Sequence, residues 1–410
     1  MMQARWSRCP KLSGCLMAAL LMAAVGLAAQ SHPRPVARQD FSQLAAAATA
    51  ARDQEKLPEA EALYRRALAL KPSWVEGWWA LGTIYYDADD FGQASLAFEK
   101  LLAADPKHGT AHLMLGLCLY ELNQNEQAAR HFAEARHYGI ENPAQLEPVL
   151  LYHEAMLALR SRHFETANQT LHMMARKGIS SEDGDLDFGM SVLLMLPSQL
   201  PPPGSTARRI VLRVGQAEAA DSTETHELAR RIFARVVAMA PEFPNIHFAY
   251  GRFLLGIQEP DAALVEFKEE LKRTPGNIRA QLEIAAIDYR TDSQAGIPYA
   301  EAAVEKTPQY PFAHYLLGLL SLDAGQTEKA IAELERARKM VPNEPQFAFA
   351  LANAYQRAHR KDEATKQRAE FLRLKQAEKE SDEGPTYYDA GGHSGLHVGN
   401  NENTSDTIHE

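Results

Sequence analysis

An all-α chain of stacked helical hairpins is what this sequence predicts. A spacing of 34 residues returns along most of it: Pro72 and Pro106, Gly82 and Gly116, and Phe98 and Phe132 stand that far apart, and Ala60, Ala94 and Ala128 form a ladder at the same step. The interval reappears downstream from Pro241 to Pro275, Pro308 to Pro342 and Ala330 to Ala364. Within a step the apolar residues fall at helical spacing, so one period holds two short helices. A fixed period in this range marks a solenoid, whose hairpins bury their apolar faces against one another. A chain of 410 residues would ordinarily divide into about two or three globular domains, but a solenoid grows by addition.

The clearest period runs from Val75 to His108. Trp78, Leu81, Gly82 and Tyr85 fall at i, i+3, i+4 and i+7 and share one face of a first helix. Ala94, Phe98 and Leu101 do the same on a second, with the turn supplied by Asp87 to Phe91. Gly82 and Ala94 are small enough for close helix approach, and Trp78, Leu81, Tyr85 and Phe98 are expected to fill the space around that contact. Pro106 cannot continue the second helix and ends it.

The pattern of Trp78, Leu81, Gly82, Tyr85, Ala94, Phe98 and Pro106 resembles the tetratricopeptide repeat (TPR), in the form found in exported bacterial proteins. Leu115, Gly116, Ala128, Phe132 and Ala135 repeat it, as do Gly251, Ala263, Phe267 and Pro275, and then Leu317, Gly318, Ala330, Ala337 and Pro342. About nine units follow: 41–74, 75–108, 109–142, 148–181, 210–243, 244–277, 278–310, 311–344 and 345–378. The fourth has Glu154 and Ala155 in place of the Leu-Gly pair. The fifth rests mainly on Ala229, Phe233 and Pro241, and the seventh is one residue short with Gly296 at its middle small position. The resemblance implies a right-handed superhelix whose first helices line a concave face. The outward positions of those helices, which would contact a partner, are Trp79, Thr83 and Tyr86; Leu113, Leu117 and Tyr120; Asn245, Phe248 and Arg252; Phe312, Tyr315 and Leu319; and Phe349, Asn353 and Arg357. Trp79 has two open readings, an exposed binding hot spot or packing on the adjoining unit. Most of these positions are aromatic or aliphatic, and the spaced Lys and Asn set by which some TPR domains clamp a terminal carboxylate is missing; Arg252 with Asn245, and Arg357 with Asn353, are the nearest substitutes. An apolar groove for an extended segment or amphipathic helix fits better.

The two ends differ from the repeats. Arg5, Arg8 and Lys11 precede the apolar run Leu16 to Leu27, followed by Ala28 and Ala29, which together read as a secretory signal peptide over residues 1–29. An uncleaved anchor is the alternative, for which the run is short. Leu12-Ser13-Gly14-Cys15 looks like a lipoprotein box but precedes the apolar run instead of following it. Cleavage removes three basic residues and no acidic one, so a chain of net charge −10 becomes more acidic still. An acidic chain without a basic stripe argues against nucleic acid or anionic lipid as partner. Cys9 and Cys15 leave with the leader, so Cys118 remains alone as a buried structural thiol with no intramolecular disulfide.

The repeats fall into two blocks, 41–181 and 210–378. Residues 182–209 between them carry an apolar stretch, Phe188 to Leu196, that can add a helix closing the first block, and a proline run, Pro197 to Ser205, that is expected to be non-helical, an extended spacer or a surface loop. A joint between two segments and a loop insertion in a continuous solenoid both remain open. Lys361 to Lys379 reads as a solvated terminal helix, and 379–410 as a polar, disordered tail.

Chemistry is sparse. The chain has no phosphate loop and no dinucleotide fingerprint. His153-Glu154 lacks the second histidine of a zinc-protease motif, since Leu157 stands there. Gly392-His393-Ser394-Gly395 lacks the nucleophile-elbow pattern, and His108, His112, His131 and His137 suggest surface or packing roles. Asn168-Gln169-Thr170 and Asn403-Thr404-Ser405 are formal glycosylation sites of little weight. No enzyme, cofactor or metal is expected. The favoured function is a protein-interaction scaffold of the periplasm or cell envelope that binds a protein or peptide segment. The alternative is an accessory subunit of a polysaccharide export or synthesis system, with a glycan as a further ligand. Cleavage after Ala29 predicts Gln30 as the first residue of the exported protein. Intact-mass analysis of the envelope fraction checks it, and a chain retaining Leu16 to Leu27 would make the segment an anchor instead.

Overall fold

The structure, a computed structural model, describes residues 40–380; the expected signal peptide and most of the expected polar tail lie outside the described residues. Eight of the nine expected hairpins are found as packed helix pairs, and two helices fall where the fourth is expected. The first three pairs are α1 (Phe41–Asp53) with α2 (Leu57–Leu70), α3 (Val75–Asp87) with α4 (Phe91–Ala104), and α5 (Gly109–Glu121) with α6 (Asn125–Tyr138); α7 (Pro143–Arg160) and α8 (Phe164–Arg176) follow. After α9 (Glu182–Val192) come α10 (Thr206–Ser222) with α11 (His226–Met239), α12 (Ile246–Gly256) with α13 (Pro260–Arg273), and α14 (Ile278–Thr291) with α15 (Ser293–Lys306). The last two pairs are α16 (Pro311–Asp323) with α17 (Thr327–Met340) and α18 (Pro345–Arg357) with α19 (Lys361–Glu380). Among the described residues no strand is found, and no helix is long and apolar enough to cross a membrane.

The described helices gather into two compact units that divide between Leu157 and Ala158. The division falls inside α7, so α8, placed by the sequence in the first block, belongs to the second unit. Helix α7 also begins at Pro143, before the expected residue 148, and carries Pro148 inside it. The additional helix exists as α9, but Leu193 and Leu196 lie beyond its end, and it packs on both α8 and α10. Two glycines let α9 and α10 approach: a Cβ on Gly189 would lie 2.0 Å from the Val211 carbonyl oxygen, and one on Gly215 would lie 1.5 Å from that of Asp185. The proline run after it forms a single 3-10 turn, Pro197–Gln199, and then a loop tied down by Arg208, which donates to the Pro201 carbonyl at 3.1 Å.

Most hairpins use the same turn. Glu55, Asp89, Asn123, Arg162, Glu224, Gln258, Gly325 and His359 take left-handed backbone at the equivalent place between first and second helix. Only Gly325 adopts it without a steric cost of roughly 1 kcal/mol. The exception is α14–α15, where Asp292 alone connects the helices. Its backbone N–H closes α14 on Asp288, and its carboxylate accepts from the Ala295 N–H at 3.2 Å to cap α15. The missing residue of the short seventh unit is therefore lost from the turn.

First and second helices are buried differently. Residues Gly109 to Tyr120 of α5 and Ala313 to Leu322 of α16 are buried throughout, as expected of helices that are apolar on every side. Second helices bury one stripe at i, i+4 and i+7: Ala128, Phe132 and Ala135 in α6, and Ala229, Phe233 and Val236 in α11. The ring at the middle of the stripe lies on the backbone of a first-helix glycine. A Cβ on Gly82 would sit 2.6 Å from the Phe98 ring, on Gly116 2.5 Å from Phe132, and on Gly251 2.6 Å from Phe267; Leu334 replaces the ring opposite Gly318. Gly82 is thus the seat of Phe98 itself. Trp78, expected in that core, is partly exposed and donates its indole N–H to the Pro72 carbonyl at 2.8 Å. The same six-residue tie recurs from Gln281 Nε2 to the Pro275 carbonyl at 2.9 Å, and joins His112 Nε2 to the Pro106 carbonyl at 3.0 Å and His314 Nε2 to the Pro308 carbonyl at 3.1 Å. Each tie satisfies a carbonyl where a second helix has ended.

The expected thiol is confirmed as buried: Cys118 is free and fully covered, and burial pushes its pKa up to about 12. Gly116→Ala should cost about 1–3 kcal/mol by overpacking against Phe132. Gly92→Ala, on an exposed turn of α4 with only Asp90 Oδ1 at 3.8 Å, should be neutral or slightly stabilising. Urea unfolding of the two variants checks the contrast; equal effects would show that the glycine–ring contact is slack.

Candidate functional site

The expected partner-binding residues divide by burial. On α3, Trp79, Thr83 and Tyr86 remain partly exposed along one stripe. Trp79 stacks on His108 of the next hairpin, with ring centroids 5.5 Å apart and 11° between planes, and meets Phe98 edge-on at 5.7 Å. Packing on the adjoining hairpin is thus the arrangement found. Leu113, Leu117 and Tyr120 are buried because α5 is covered on every side; Tyr120 lies edge-on to His153 at 4.9 Å. Phe248, Tyr315 and Leu319 are likewise buried, Phe248 against Phe267 and Tyr315 stacked on Phe347 at 4.8 Å. These six side chains are core, covered by the helices packed around them. Asn245 donates to the Leu193 carbonyl at 2.8 Å and so ties α12 to the end of α9. Phe312, Phe349 and Asn353 stay partly exposed, and the exposed Arg357 donates to the Leu322 carbonyl at 2.7 Å.

A cavity of about 440 Å³ opens in the second unit, where α9 interrupts the repeat. Helix α8 contributes Phe164, Glu165, Asn168, His172 and Arg176; α9 contributes Ser191 and Val192; α10 contributes Glu218, Asp221 and Ser222. The opposite wall is Phe248, Arg252 and Phe253 of α12 with Arg279 of α14. Two of the expected residues, Phe248 and Arg252, line it.

Arg252 organises one side. It donates to Glu165 Oε2 at 2.9 Å, and its Nε lies 3.9 Å from Glu283 Oε1. Burial works against the Arg252 charge, but Glu165 and Glu283 more than offset it, so its pKa is raised. Glu283 is only 3% exposed, and its Oε2 has no hydrogen-bond partner. Burial pushes this carboxyl up to about 6, against the pull of Arg252. Arg279 stands over the Phe164 ring, 5.9 Å from its centroid, and burial followed by the like charge of Arg252 lowers its pKa.

On the other side Asn168 donates to Ser191 Oγ at 3.3 Å and to Glu218 Oε2 at 3.2 Å, so the first formal glycosylation site is buried and its amide committed. His172 lies 3.3 Å from Glu218 through Nε2 and 2.5 Å from Ser222 Oγ through Nδ1. Serine, histidine and glutamate are the residue types of acyl transfer, but that chemistry needs amide donors for an oxyanion. The amides of Thr223, Glu224 and Thr225, which follow the serine, already bond to the Ala220 and Asp221 carbonyls. Among the described residues no group of three or more His, Cys, Asp or Glu is placed to hold a metal ion.

A tetratricopeptide repeat model matches residues 45–94, 80–143, 214–278, 288–345 and 315–367, more than half of the sequence. The chain belongs to the tetratricopeptide repeat family. The stretch between residues 143 and 214, which the family model does not match, contains α8 and α9, and these contribute much of the cavity lining. Among solved structures, one of MamA is 20% identical, with 40% of this chain covering 97% of it at a TM-score of 0.39. A MamA structure from Desulfovibrio magneticus RS-1 is 21% identical, with 42% covering 98% at 0.40. No curated protein matches the sequence.

Sequence reasoning overlooked Glu165, Asn168, Glu218, Arg279 and Glu283. The available signal was a charge inside an apolar run, as in Leu282-Glu283-Ile284. An unfolded glutamate ionises near 4.5 and Glu283 near 6, so between those values the folded chain holds a proton the unfolded chain has lost. Raising the pH through that window therefore removes about 2 kcal/mol of stability. The stability of wild type relative to Glu283→Gln should fall by that amount between about pH 4.5 and 7.5 in urea unfolding. A difference that stays flat would mean that Glu283 ionises normally.

Proposed function

We propose that this TPR chain is a non-enzymatic interaction scaffold, exported to the periplasm or cell envelope, that holds a segment of a partner protein. The observation that carries the reading is the stripe of Trp79, Thr83 and Tyr86 on α3, apolar and partly exposed within a repeat family whose arrays bind proteins and peptides. Trp79 is held by His108 and Phe98, so its exposed edge is presented at little entropic cost. Phe312, Phe349 and Asn353 offer a comparable, more dispersed set in the second unit. An apolar stripe on a rigid helix suits an extended segment or an amphipathic helix. The alternative of an accessory subunit in a polysaccharide system would favour a freely presented aromatic face, and Trp79 gives one of its faces to His108.

Thr83→Arg places bulk and charge in the middle of the stripe and removes none of its aromatic packing. A partner cross-linked to the wild-type chain in envelope extract should be lost from the Thr83→Arg chain, with the melting temperature unchanged. Undiminished recovery would remove α3 from the binding surface.

A further inference from the structure

We propose that the cavity of the second unit binds a small organic anion, a carboxylate or phosphate group carried on an apolar body. The inference is separate from the α3 stripe, which lies in the first unit.

The pairing of charges around the cavity points to the sign of the ligand. Its withdrawn carboxylates already have neighbours: Glu165 pairs with Arg252 at 2.9 Å, Glu218 lies 3.3 Å from His172, and Asp221 lies 2.7 Å from His226. Glu224 sits in the exposed turn after α10, in water. Among the described residues Arg279 is the lining ion that is drawn out of water without a counter-ion, since it makes no hydrogen bond or salt bridge and rests only on the Phe164 ring. A guanidinium carries five N–H donors in a planar fork, and leaving them unmet in a partly dry site is costly. That fork matches the paired oxygens of a carboxylate or phosphate. Arg176, also without a protein partner, adds a second positive charge on the lining from α8.

The rest of the lining suits the body of such a ligand. Phe164, Phe248 and Phe253 give apolar surface beside the guanidinium, with Val192 and Leu194 from α9 and the residues after it. The volume of about 440 Å³ lies within the range of small-molecule sites and is too small for a folded partner. A cation is disfavoured because the buried acids of the lining, Glu165 and Glu218, already have partners.

The full mature chain is titrated calorimetrically with octanoate and with phenyl phosphate, and in parallel with neutral benzamide and cationic benzamidine. At least one anion should bind, and the neutral and cationic probes should not. Octanoate alone would identify a carboxylate ligand, and phenyl phosphate alone a phosphate. Arg279→Gln should weaken the bound anion tenfold or more. Arg279→Lys should weaken it less, because the charge remains and the fork is lost. Should Arg279→Gln fail to fold, Arg176→Glu at its exposed position should still weaken the anion severalfold. Absence of binding by both anions, tighter binding of benzamidine, or equal anion affinity in wild type and the arginine variants would overturn the assignment.

Discussion

An aromatic ring laid on the bare backbone of a glycine is the contact from which the hairpins are built. Phe98 on Gly82, Phe132 on Gly116 and Phe267 on Gly251 place each second helix at one distance from its first, because a Cβ at any of these glycines would overlap the ring. The ring also fixes rotation: once it is seated, Ala94, Ala128 or Ala263 one turn earlier must face the same helix. Tolerance enters through the small residue, with or without a change of ring. Ala48 and Tyr64 occupy the equivalent pair in the first hairpin, and Ala217 and Phe233 in the fifth, and all four are buried. A larger small residue is accepted where the ring can shift, which is how divergent units keep one geometry.

Pitch between hairpins depends on a second, polar device. The side chain at the fourth position of several first helices reaches back to the carbonyl of a proline six residues earlier. Trp78, His112, Gln281 and His314 all do so, although they share little beyond a ring or amide nitrogen. Two of these positions connect onward to the second helix: His112 to His131 at 2.9 Å, and His314 to Glu333 at 2.5 Å. His247 pairs with Glu266 at 2.6 Å in the same register, but its Nε2 lacks the carbonyl partner. The proline carbonyl two residues past the end of the second helix is met by a side chain of the next hairpin, so one bond ties the link between hairpins to the helix that follows it.

Helix α9 breaks this regularity, and the polar interior lies where it does so. Being single, it cannot present the complementary ring and glycine of a hairpin; it leans on α10 through Gly189 and Gly215 instead. The space between α8, α10 and α12 is then filled by hydrogen-bonded side chains. Asn168, Ser191, Glu218, His172 and Ser222 form one connected set, and Glu165, Arg252 and Glu283 form another. Such pairs contribute little net stability once desolvation is counted. Their effect is on specificity, because a displaced α9 would leave Asn168 without its Ser191 partner.

The 34-residue period, the proline stops and the hairpin limits in the regular repeats were determined by the sequence alone, since helix ends and small-residue ladders are local properties repeated often enough to reinforce each other; α7 and α10, next to the irregular stretch, begin earlier than the period placed them. Gly82, Phe98 and Cys118 could be placed because a periodic pattern says which face is inward. The same local reasoning misassigned Leu113, Tyr120, Phe248 and Tyr315: register shows that they point away from their own second helix, but not that another surface covers them. Burial on that side is a property of the stacked array. Tertiary structure alone also decided the cavity, for Glu165, Arg252, Glu283 and Arg279 come from three helices spread over more than a hundred residues, and no periodicity relates them. A charge in an apolar run signals that a partner must exist; only the packing of α8, α12 and α14 says which one, and which charge is left without it.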